Sequence, residues 1–199
     1  VRPGKIGSLA MITGLCLGLA ACGQAPTRQQ DEIHTGGPGL SQGQVQRQDA
    51  VTRWTNDYCI AVGSLVDGLA TMPTVDPSTP RRAVQTSSDL LGSMISGLDK
   101  AVTGLRTLPA APVPEADGAR AETVAKLTGV RTRAAVAKQH LDEAGAAPRI
   151  DQDTLGEARG PLDEVSKLNL LAGFDAVPDL EFAVTHAPVC QQLTVRTTP

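Results

Sequence analysis

From residue 45 onward, apolar residues recur three and four positions apart in long stretches separated by proline- and glycine-rich breaks. That period marks helices with one buried face. The first stretch, about 45–70, sets Val51, Trp54, Tyr58, Ala61, Val62, Leu65 and Leu69 on one side, with Arg53, Asn56 and Asp57 between them. Two prolines in the loop 72–79 break it. Thr79-Pro80 then starts a second helix, the hydroxyl capping free amides and the proline suiting a first turn that needs no N–H. Its stripe of Val84, Leu91, Met94, Ile95, Leu98, Val102, Leu105 and Leu108 stops at Pro109, Pro112 and Pro114. A third stretch, about 116–144, carries Val124, Leu127, Val130, Ala134, Ala137 and Leu141, with Gly145 as its expected cap. A fourth runs from Asp151 or Asp153 to Ala172 through Leu155, Ala158, Leu162, Val165 and Leu168. Gly160-Pro161 lies inside it and should kink or split it. Pro178 opens a last short helix through Leu180, Phe182, Ala183 and Val184, interrupted at Pro188. Strand patterns are nearly absent. The pattern predicts an all-α domain over 45–199, an up-and-down four-helix bundle with a short additional C-terminal helix.

Ahead of the domain the period is lost in two ways. Residues 22–44 are polar and rich in Gly, Gln, Pro and Thr, with too little apolar surface to offset the entropy of ordering them. They are expected to form a flexible tether reaching roughly 25 Å. Residues 1–21 hold Arg2 and Lys5 and then an uncharged apolar run, Ile6–Ala21. As a helix that run spans only about 24 Å, short of a hydrocarbon core of about 30 Å. A basic start, a short apolar core and small residues before a cut make an export signal. Its ending, Leu19-Ala20-Ala21-Cys22, resembles the lipobox of bacterial lipoproteins. The resemblance implies cleavage before Cys22, a diacylglycerol thioether on that cysteine and acylation of the new amine. Several acyl chains hold a protein stably on a membrane where one is marginal. The mature chain is thereby expected on the outer, extracytoplasmic face of the cell membrane, anchored but not spanning it. Cys16 is the weaker lipidation candidate because Leu15 precedes it where a small residue is wanted. An ordinary secreted protein cut near Ala21 is the plainer alternative.

Composition adds a source and removes a partner. Abundant alanine and glycine, more arginine than lysine and only 2% aromatics resemble secreted lipoproteins of GC-rich actinobacteria. Of 18 Lys and Arg, Arg2 and Lys5 leave with the signal, so 16 face 21 Asp and Glu, a formal charge of −5. No basic patch points to nucleic acid. Glycines 63, 68, 92, 97, 104 and 129 fall inside predicted helices, each costing up to about 1 kcal/mol against alanine. They allow close helix contact or leave the bundle loose. A groove for an apolar ligand or a partner helix is the functional reading. Compositional drift is the plainer one, and the one preferred here.

Cys59 and Cys190 remain in the domain, and in an exported chain two scarce cysteines are most simply a disulfide. The bridge would close a loop of about 130 residues and pin the short last segment to the first helix, worth at most about 5 kcal/mol. No Cys-x-x-Cys pair supports a redox role. The histidines, His34, His140 and His186, are scattered, which rules out a His-Glu-x-x-His zinc site, and no metal or other cofactor is expected beyond the covalent lipid. His34 reads as a solvated loop residue. No glycine-rich phosphate loop and no Gly-x-Ser-x-Gly elbow occurs. Asp89, Asp99, Glu122, Asp142, Glu157, Asp163 and Glu164 read as solvated helix faces. The expectation is a non-catalytic, membrane-anchored module that engages another envelope protein. The alternative is a carrier or sensor of a small apolar ligand held between helices; an enzyme ranks below both.

Overall fold

A computed structural model describes residues 39–150 and 153–197. Seven helices and no strand occur among these residues, and from Leu40 onward they form one unit. The helices are α1 (Gln42–Ala70), α2 (Pro80–Thr107), α3 (Pro114–Ala146), α4 (Asp153–Glu157), α5 (Arg159–Ser166), α6 (Pro178–His186) and α7 (Pro188–Thr197).

Local chemistry sets the ends. Ser41 and Gln44 exchange side-chain and backbone hydrogen bonds of 3.3 and 2.8 Å, a capping box that starts α1 before the predicted residue 45. Thr79 Oγ1 accepts from the Arg82 N–H at 3.2 Å with Pro80 in the first turn, as predicted. Gly145 does not cap α3; it lies within the last turn. Pro148 drives Ala147 to an extended ψ of 150°, and Arg81 of α2 donates to the Gly145 and Ala147 carbonyls at 2.5 and 3.2 Å. A side chain from the neighbouring helix satisfies the free carbonyls that a left-handed glycine would otherwise serve.

The three long helices run antiparallel and bury their predicted stripes. Ala61 of α1 faces Gly104 of α2, and Gly68 faces Gly97, so both pairs recur after seven residues on each helix. A Cβ on Gly104 would lie 2.9 Å from the Ala61 Cβ, and one on Gly68 would lie 3.4 Å from the Gly97 Cα. These glycines are the reason α1 and α2 approach so closely, which corrects the preference for compositional drift at these positions. Gly118, by contrast, has open space where a Cβ would go.

The fourth predicted helix is divided. Pro161 has no N–H to bond the Glu157 carbonyl, and the chain breaks at Ala158 into α4 and α5. α5 stops at Ser166, short of the predicted Ala172, and residues 167–177 continue in turns with Gly173 at φ +84°. Those turns bury Phe174, which sequence periodicity had not singled out. Its ring lies 4.7 Å from Tyr58 and 6.4 Å from Trp54, so three of the four aromatic residues share one cluster. α4 and α5 pack chiefly on α3, whereas α6 and α7, broken at Ala187, pack on α1 and on each other. The single C-terminal helix of the sequence reading is therefore a pair.

Candidate functional site

Cys59 and Cys190 are joined, as the sequence predicts, at an S–S distance of 2.03 Å. Both are fully buried, and the bond ties α7 to the middle of α1. The Cys190 sulfur sits 3.4 Å from the Thr55 carbonyl oxygen, and the Val189 N–H donates to Asn56 Oδ1 at 3.2 Å. Thr55 Oγ1 is enclosed in this region without a hydrogen-bond partner among the described residues. A buried hydroxyl without a partner costs stability.

Below the disulfide, Tyr58 joins α1, α3 and the turn segment. The Leu170 carbonyl can only accept, so the Tyr58 hydroxyl donates to it at 2.8 Å and pairs with Thr123 Oγ1 at 2.9 Å. Burial pushes the phenol up from 10.0 to about 12, while the Thr123 hydrogen bond acts the other way. Trp54 Nε1 donates to the Pro109 carbonyl at 3.0 Å, which fixes the α2–α3 loop to α1. This is a rigid polar frame inside an apolar core.

The most chemically varied cleft lies between α2 and α3, lined in part by Arg81, Ser88, Asp89, Lys138 and Asp142. Lys138 Nζ donates to Ser88 Oγ at 3.0 Å and to Asp142 Oδ2 at 2.7 Å, and the Ser88 hydroxyl donates to Asp142 Oδ1. Lys138 and Ser88 together hold the Asp142 carboxyl below the usual carboxylate range. A lysine paired to a carboxylate is not a free base for a serine, and Ser88 sits mid-helix where neighbouring amides are already bonded along the helix. The arrangement can brace two helices.

The remaining polar candidates are spread out. His140 Nδ1 lies 2.6 Å from Glu157 and links α3 to α4, while His186 stacks on Phe182 at 3.9 Å. Asp99 pairs with Arg131, Glu122 with Lys126, and Glu164 with Arg133, all on exposed surfaces. Among the described residues, no three of His, Cys, Asp and Glu converge as a metal site would require. No helix of the described residues is long and apolar enough to cross a membrane. Leu19, Ala20, Ala21, Cys22 and His34 lie outside the described residues. What sequence reasoning missed is Thr55, Thr123 and Phe174: the two threonines interrupt apolar stripes, and the phenylalanine sits in a turn, so no periodic signal marks them. No family model, no curated protein and no solved structure matches the chain.

Proposed function

We propose that this chain is a lipid-anchored protein of the extracytoplasmic face of a bacterial membrane, whose helical domain is a non-catalytic module that engages another envelope protein. The observation that carries the reading is Leu19-Ala20-Ala21-Cys22 at the end of an uncharged apolar run. Cys22 would bear the lipid, and the polar residues after it would act as a spacer. A buried disulfide suits an oxidising compartment and so supports export. The commitment of Ser88, Lys138 and Asp142 to one another supports a module that braces and presents a surface rather than one that turns over substrate.

Fractionation of cells making the whole chain tests the anchor, and in-cell crosslinking tests the module. The wild-type chain is expected in the membrane fraction and the Cys22→Ala chain outside it or uncut. One envelope protein should be crosslinked reproducibly by the wild-type chain. Equal membrane association and equal precursor processing of both chains would overturn the anchor. A tightly held apolar molecule in the native mass spectrum, with no crosslinked protein, would overturn the module in favour of a carrier.

A further inference from the structure

We propose that α6 and α7 form a strap latched on α1 by Cys59–Cys190: closed when the disulfide is formed, and lifted when the two thiols are free, while α1, α2 and α3 stay packed. The two short helices make their main helix–helix contacts with α1 and with each other. Helices of 9 and 10 residues do not persist in water unless packing supports them. Among the described side chains the strap buries Leu180, Ala183, Ala187, Cys190 and Leu193, with Val184 and Val189 partly buried, so its large apolar anchors are few. The Cys190 sulfur sits 3.4 Å from the Thr55 carbonyl oxygen, and the Thr55 hydroxyl is buried without a partner among the described residues, which costs stability in the folded form. The rest of the bundle keeps its own fastenings, through the Ala61–Gly104 and Gly68–Gly97 contacts and the Ser88–Lys138–Asp142 brace.

Closing the latch is a two-electron oxidation and takes an oxidant of the thiol–disulfide class. One cysteine thiolate attacks the oxidant's S–S bond, forming a mixed disulfide and releasing one oxidant thiolate. The second cysteine thiolate attacks the mixed disulfide, forming Cys59–Cys190 and releasing the other. The two thiol protons pass to the two oxidant thiolates. A dithiol reverses both steps. The latch goes beyond the anchoring proposal and does not depend on it.

Hydrogen–deuterium exchange on the whole chain tests it in three states: oxidised, reduced with dithiothreitol, and carrying Cys59→Ala with Cys190→Ala. Thiol alkylation scores the reduction, and the double variant reaches the open state even if the buried bond resists dithiothreitol. Exchange over residues 178–194 is expected at least tenfold faster in the reduced chain or the double variant, with residues 80–107 and 114–146 within twofold of the oxidised chain. Unchanged protection of 178–194 would overturn the proposal, because packing alone would then hold the strap. Loss of protection across α2 and α3 would overturn it too, because the disulfide would then hold the whole bundle.

Discussion

Two side chains in the core, Thr55 and Tyr58, carry measurable consequences. Thr55 is fully buried, and its hydroxyl has no partner among the described residues. Valine has the same shape without the polar atom. Thr55→Val should therefore raise stability by about 1 kcal/mol in urea unfolding of the oxidised chain. A loss of similar size would mean that the hydroxyl is satisfied. Tyr58 is the only tyrosine, so phenolate absorbance reports it without overlap. Its pKa is raised from 10.0 to about 12 by burial, so the folded state holds the proton more tightly than the unfolded chain does. Its contribution to stability is complete below pH 10 and is lost as pH rises from 10 towards 12. Phenolate should appear near pH 12 or together with alkaline unfolding. A simple titration at 10 in the folded chain would contradict the buried, doubly bonded hydroxyl.

Helix pairs explain what single residues do not. Gly104 and Gly118 both sit in helix interiors, where alanine is intrinsically the better residue by about 1 kcal/mol. At Gly118 nothing stands in the way, and Gly118→Ala should stabilise by roughly 0.5–1 kcal/mol. At Gly104 the new Cβ meets the Ala61 Cβ at 2.9 Å, and Gly104→Ala should instead destabilise by roughly 1–3 kcal/mol, as overpacking does. Opposite signs for one chemical change, read from thermal or urea unfolding of both variants, are the expected result. The same contrast shows what sequence could reveal. The stripes of α1, α2 and α3, the Thr79 cap and the break ahead of Pro161 were legible because periodicity and proline chemistry are local. Which helical glycines are contacts was not, because Gly104 and Gly118 differ only in what another helix places opposite them. The early end of α5 was equally hidden. Leu168 and Ala172 continue the apolar spacing, yet the chain turns there and buries Phe174 against Tyr58. Among the site residues, Cys59 and Cys190 were legible from scarcity and compartment alone. The unpaired Thr55 hydroxyl was not, since hydrogen-bond satisfaction is a tertiary property.

At the scale of the molecule, the described residues form three long packed helices, two short ones against α3, and a pair held to α1 by the disulfide. The proposed function rests on the anchor at Cys22. The measurement that tests this most directly is mass spectrometry of the N-terminal peptide from the chain made in a bacterial host with a lipoprotein pathway. A peptide that begins at Cys22 and carries a diacylglycerol thioether is expected. A peptide that begins elsewhere, or that begins at Cys22 with an unmodified thiol, would contradict the anchor.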